Sequence, residues 1–186
     1  MDKDVSAGSG ITTVAGRLAL GITLLAFGLG HTAVIDGVSA ADASSITQYV
    51  GGIALFVAGL VALREGDAAG GTAFSVLGAL WFTWAVSDGA SGNGAGLFLL
   101  LFALVALSLT LAGGEQLGQV MYALFFVALL LMAVAEFAGN DGLTKVGGWF
   151  AVAAGAVAWY AATAAPAHWP TVLPRRAAGR GVTATG

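Results

Sequence analysis

Residues 51–85 read GGIALFVAGLVALREGDAAGGTAFSVLGALWFTWA, two apolar arms on either side of the charged break Arg64-Glu65-Gly66-Asp67. Each arm is about 15 to 20 residues, near the lower bound for a helix crossing a ~30 Å hydrocarbon core. The break is too short to link two domains. The segment therefore predicts a tight helical hairpin in a membrane, and the rest of the chain is to be read in lipid rather than in water.

Composition agrees. Of 186 residues 58% are hydrophobic and 9% are charged, and the mean hydropathy is +0.90. A soluble domain of this size needs a charged shell that seven basic and ten acidic residues do not supply. With no cysteine, disulfides, thiolate metal sites and a cysteine nucleophile are excluded. The net charge of -3 gives no reason to invoke nucleic acid. The opening MDKDVSAGSG is acidic and unlike a cleaved signal peptide.

Outward from the hairpin, the apolar runs predict an all-α membrane protein of six transmembrane helices. The expected spans are about Ile11–Ile35, Gln48–Leu63, Gly70–Val86, Ala95–Ala112, Leu117–Ala138 and Thr144–Ala165. Residues 1–10 read as a flexible N-terminus, 11–165 as the transmembrane domain and 166–186 as a C-terminal tail. The turn SDGASGNG separates spans three and four. Pro166, Pro170 and Pro174 all follow the last expected span, so no helix is expected to be kinked by a proline. With both termini cytoplasmic, Lys3, Arg17, Arg64, Arg175, Arg176 and Arg180 lie inside and only Lys145 outside. The chain is thus expected to be a multi-pass protein of the plasma membrane.

The second and sixth spans match at a fixed offset: Val50-Gly51-Gly52 with Val146-Gly147-Gly148, Ala58-Gly59 with Ala154-Gly155, and Val61-Ala62 with Val157-Ala158. The spans before them both close on Asp-Gly, at Asp36-Gly37 and Asp141-Gly142. This predicts three helical hairpins running in the same sense, an arrangement by which transporters surround a central path.

Small residues four apart (Ala54, Ala58 and Ala62; Gly147, Ala151 and Gly155) mark packing seams, and short, glycine-rich spans are compatible with a symmetric oligomer or with a compact monomer. In the third span Thr72, Ser75, Ala79 and Thr83 share one arc, opposite Phe74, Leu77, Trp81 and Trp84. Two readings of these hydroxyls stand: a lining for a solute path, or bonds back to the preceding turn inside a packed bundle. Glu136 is the sharpest single residue, because an ionisable group in a span faces a cavity or partner by default. It is either an interfacial carboxylate or a candidate proton carrier. His31 and His168 make neither a haem pair nor a zinc site, and Arg17 is expected to snorkel to the inner interface. No cofactor, metal site or enzyme signature is present.

The hairpin also resembles the second and third spans of the acetate uptake transporter family, the succinate–acetate permeases. The resemblance rests on Gly51-Gly52-Ile53-Ala54, Ala58-Gly59-Leu60, the charged turn, and Thr72-Ala73-Phe74 leading to Gly78 and Trp81. Later come Ala138-Gly139-Asn140, Gly148-Trp149, Gly155-Ala156, Tyr160 and Thr171-Val172-Leu173-Pro174, so that about two thirds of the chain is covered in order. The family's Asn-Pro-Ala-Pro-Leu-Gly-Leu motif is missing, replaced by Gly16-Arg17-Leu18-Ala19-Leu20-Gly21. Where members carry an asparagine in the fifth span, this chain has Glu136.

The resemblance implies a homohexamer in which each protomer carries a path for a short carboxylate, constricted at Leu20, Leu77 and Phe125. The helical wheel instead turns the polar stripe towards the path, so Thr72, Ser75 and Thr83, with Asn140, are the expected lining. The expected function is a transporter or channel for acetate and succinate, with proton coupling through Glu136. Two alternatives stand beside it: a channel for a small neutral solute such as urea or a short amide, and a structural membrane subunit with no pathway.

Overall fold

The computed structural model describes residues 10–87 and 92–170, which form six helices long and apolar enough to cross a membrane. They are α1 (Ile11–Thr32), α2 (Ser44–Arg64), α3 (Ala68–Val86), α4 (Asn93–Leu111), α5 (Gln116–Ala138) and α6 (Asp141–Ala167). The expected flexible N-terminus up to residue 9, the tip of the turn after α3, and the tail beyond Pro170, with Lys3, Arg175, Arg176 and Arg180, lie outside the described residues.

Helix ends follow local chemistry. The Asp67 carboxylate accepts from Gly70 N at 2.8 Å and caps α3. Asn140 does the same for α6, accepting from Gly142 N and Leu143 N at 3.0 and 3.2 Å. α1 stops at Thr32, short of the expected Ile35, because Ala33 turns left-handed at φ 54°. α2 starts at Ser44, ahead of the expected Gln48, and Thr47–Ala54 winds as a π-helix. The wider turn sets Gly51 against Thr23 of α1 and Gly52 against Phe82 of α3. Such π segments recur at functional sites. The expected placement of all three prolines after the last span is corrected for Pro166, which lies in the last turn of α6. The helix ends two residues on, at His168 with φ 55°, so the amide that proline lacks is missing only at a terminus.

The helices form a ring. α1 packs on α2 and α6, α2 on α3, α4 on α5, and α5 on α6. The remaining side, between α3 and α4, is bridged by aromatic pairs, Trp84–Phe98 at 5.6 Å and Trp81–Phe102 at 5.3 Å between ring centroids. In chain order this is three hairpins, α1–α2, α3–α4 and α5–α6.

The seam between α2 and α3 repeats between α6 and α1, position by position. A methyl added at Gly78 would lie 2.6 Å from the Phe56 nitrogen, and one at Gly28 2.7 Å from the Val152 nitrogen. Gly71 stands in the same relation to Leu63 N as Gly21 to Trp159 N, at 2.7 and 3.0 Å. Gly59 meets the Gly71 carbonyl as Gly155 meets the Gly21 carbonyl, both at 2.9 Å. The offset that aligns α2 with α6 is the one seen in the sequence, and it draws α3 and α1 into the same register. Backbones this close admit only glycine, and in lipid this proximity is what holds helices together.

Outward faces are apolar, with Ile53, Phe56, Val57, Leu97, Leu101 and Leu104 among the exposed side chains. A surface of this kind suits hydrocarbon rather than water. Inward faces meet in one buried cluster that includes Leu20, Leu24, Phe27, Leu77, Trp81, Phe102, Phe125 and Leu129.

Candidate functional site: a vestibule and an aromatic plug

α1, α3 and α5 all begin at the end of the bundle that carries Arg17 and Arg64. There a cavity of about 210 Å³ opens, and its polar walls come from Thr13, Arg17, Asp67, Glu115, Gln119 and Tyr122. Arg17 is a correction. Instead of extending to the lipid interface, its guanidinium turns into this vestibule, and Nη2 meets Glu115 Oε2 at 2.5 Å. Glu115 is held there by the glycine elbow Gly113-Gly114, whose φ angles of 83° and 108° other residues avoid. Asp67 sits on the same wall, with the Thr13 hydroxyl at 3.4 Å. Among the described residues Arg17 is the one cation lining the cavity, against two carboxylates.

The inner wall of the vestibule is apolar, made by Leu20, Phe74 and Met121. Beyond it the bundle is closely packed by apolar side chains. Trp81 is fully buried, edge-on to Phe27 at 5.0 Å and to Phe102 at 5.3 Å, and stacked on Phe125 at 5.7 Å. Phe102 meets Phe125 edge-on at 5.3 Å. These rings and Leu77 form a plug across the centre.

At the far end His31 Nδ1 pairs with the Phe27 carbonyl at 2.7 Å, and its ring lies 4.4 Å from that of Phe27. Glu136, half-buried, accepts from Gly92 N at 3.0 Å, so its carboxylate ties the end of α5 to the start of α4. In the loop before α2, Asp42 accepts from the Ser39 hydroxyl at 2.6 Å and from Ser39 N at 2.8 Å. The Ser39 hydroxyl, then the amide, holds the Asp42 carboxyl below its ordinary range. Among the described residues no group of three acidic or histidine side chains comes together as a metal site would require.

The positions singled out in the sequence fall in three places. Leu20, Leu77 and Phe125 are all fully buried in the one cluster. Leu20, however, reaches the vestibule wall, which Leu77 and Phe125 do not. In the repeat register Leu77 corresponds to Phe27, and Leu20 to Gly70, which also lines the vestibule. The hydroxyl stripe of α3 lies away from the plug. Thr72 and Thr83 are exposed on the outer side of the bundle, and Thr83 bonds back to the Ala79 carbonyl at 2.8 Å. Ser75 packs against Gly59 at the α2–α3 seam. Asn140 is exposed and caps α6. Phe27 and Phe102 were not legible as plug residues, since an all-apolar helix does not disclose which face is central. Aligning α1 with α3 would have found Phe27.

A ring of six helices long and apolar enough to cross a membrane, with a polar vestibule at one end and a packed aromatic centre, defines a multi-pass α-helical membrane protein. Residues 10–171 match the GPR1/FUN34/yaaH family, and the chain belongs to it. It is 29% identical over 161 residues to the succinate-acetate/proton symporter SatP of Escherichia coli, covering 79% of this chain and 83% of that one. It is 32% identical over 148 residues to ammonia transport outward protein 2 of Saccharomyces cerevisiae, covering 67% of this chain. The chain spans about half the length of that yeast relative, 52% of it. The fold matches the solved structure of the bacterial acetate channel SatP with a TM-score of 0.74 at 25% identity, over 88% of this chain and 97% of that one. These relatives are named as transport proteins and a channel, not as enzymes.

Proposed function

We propose that the chain moves short carboxylates across the plasma membrane, acetate first and succinate second, through the centre of the bundle. The observation that carries this reading is the sequence of environments along the axis: a vestibule with a guanidinium at its mouth, then a plug with no charged side chain. A carboxylate keeps its charge and loses its water at such a boundary only at great cost, whereas the protonated acid crosses it far more readily. Transport coupled to a proton follows, with Glu136 at the far end as its candidate carrier. The basic residues orient the Arg17 end to the cytoplasm. Uptake of labelled acetate into proteoliposomes tests the proposal; flux no higher than in protein-free liposomes sinks it.

The same reading makes the chain a homo-oligomer, hexameric by resemblance. An exposed apolar groove of about 380 Å³ between α2 and α3, lined by Ile53, Phe56, Val57 and Phe82, offers a face for a second copy. Native mass spectrometry from mild detergent reads the stoichiometry.

A second reading draws on the same uncharged plug, which suits a small neutral solute such as ammonia, urea or a short amide. Liposome swelling with urea and acetamide against acetate separates the two. A structural subunit without a pathway would pass none of them.

A further inference from the structure

Within the plug, one polar atom stands out. The Trp81 side chain is fully buried and its indole nitrogen has no hydrogen-bond partner among the described residues. Its ring neighbours Phe27, Phe102 and Phe125 carry no acceptor. Buried tryptophans ordinarily pair their N–H, and an orphaned buried donor is destabilising. A phenylalanine would fill an aromatic cluster without that cost. Of the buried hydroxyls, Thr23 bonds to the Ala19 carbonyl at 2.7 Å, whereas Ser75 Oγ likewise has no hydrogen-bond partner among the described residues but faces Gly59 at the α2–α3 seam, away from the plug.

We propose that the Trp81 N–H is a hydrogen-bond station for the carbonyl oxygen of the solute as it crosses the plug. The inference rests on the carboxylic-acid reading above and names the group that handles the solute where water is excluded. A protonated carboxylic acid brings one carbonyl acceptor, which a lone donor satisfies. A carboxylate needs several donors and would remain largely uncompensated. Trp81 therefore favours the neutral acid, and it acts as a binding group in transit with no covalent step.

The test removes the N–H and keeps the shape. Replacing the indole nitrogen of Trp81 by sulfur, as 3-benzothienylalanine, preserves the bicyclic ring; W81F is the simpler companion variant. Acetate flux per folded protein is expected to fall about two- to tenfold in the sulfur variant, the range of one net hydrogen bond. Its melting temperature should hold or rise, because the folded state loses an unsatisfied donor. Unchanged flux in a wild type that transports acetate overturns the role of Trp81 and leaves the acetate reading standing. A fall in flux that tracks a fall in melting temperature overturns it as well, since packing alone would explain it. Absence of acetate flux in the wild type overturns both.

Discussion

Arg17 Nη2 and Glu115 Oε2 meet at 2.5 Å across the vestibule mouth, joining α1 to the turn between α4 and α5. The pair is partly exposed, so as a brace it contributes only about 0.2 to 1 kcal/mol. Its larger effect is on the field at the mouth. R17Q leaves Asp67 and Glu115 unopposed and should raise the acetate KM, whereas E115Q frees the guanidinium and should lower it, each by about two- to fivefold. Both variants break the same bond, so a merely structural brace predicts shifts in the same direction. Concentration-dependent uptake distinguishes these outcomes.

Gly28 sets the α1–α6 seam as Gly78 sets the α2–α3 seam. G28A and G78A each force a methyl to within 2.7 and 2.6 Å of backbone atoms of the facing helix. Each is expected to destabilise the protein by about 1 to 3 kcal/mol through overpacking. G118A, with nothing within 4 Å, should be neutral. Thermal unfolding in one detergent compares the three; a tolerated G28A would mean that the seam relaxes more readily than the close backbone approach implies.

Glu136 holds Gly92 N at 3.0 Å. E136Q retains an acceptor oxygen and should fold normally, whereas E136A loses the cap and about 0.5 to 2 kcal/mol. If Glu136 carries protons, E136Q shifts the pH profile of acetate uptake although it keeps the acceptor for Gly92 N. A profile identical to wild type leaves Glu136 as a cap and nothing more.

Asp42 stabilises its turn through bonds from Ser39 that lower its folded-state pKa. A depressed carboxylate pKa contributes order that is present above the ordinary value of 3.8 and is lost as pH falls through the folded value. Protection of the Ser39 amide, taken relative to its intrinsic exchange rate at each pH, should therefore hold at neutral pH and be lost as Asp42 is protonated in acid. D42N, lacking the charge, should remove that pH dependence, and persistence of the dependence in D42N would assign it to another group.

Membrane residence, six spans and hairpin order were legible in the chain because they depend on local quantities: run length, hydropathy, and Asp-Gly or glycine punctuation. The repeat was legible too, since Gly51, Gly52 and Gly59 recur as Gly147, Gly148 and Gly155. The orientation of side chains about the central axis was not. In α3 the arc of Thr72, Ser75 and Thr83 allowed either a path lining or bonds back to the preceding turn, and polarity alone does not choose between them; Thr83 bonds back to the Ala79 carbonyl. The centre went instead to the bulky face of Leu77 and Trp81.

By itself, then, the amino-acid order determined that this chain lies in a bilayer as three hairpins, because hydrophobic length and small-residue spacing act along one helix at a time. Only the tertiary structure decided that Arg17 faces Glu115 across a vestibule, and that Trp81 closes the middle with its N–H unpaired. Those relations exist between helices, where closure of the ring, rather than the polarity of any one segment, chooses which side chains meet.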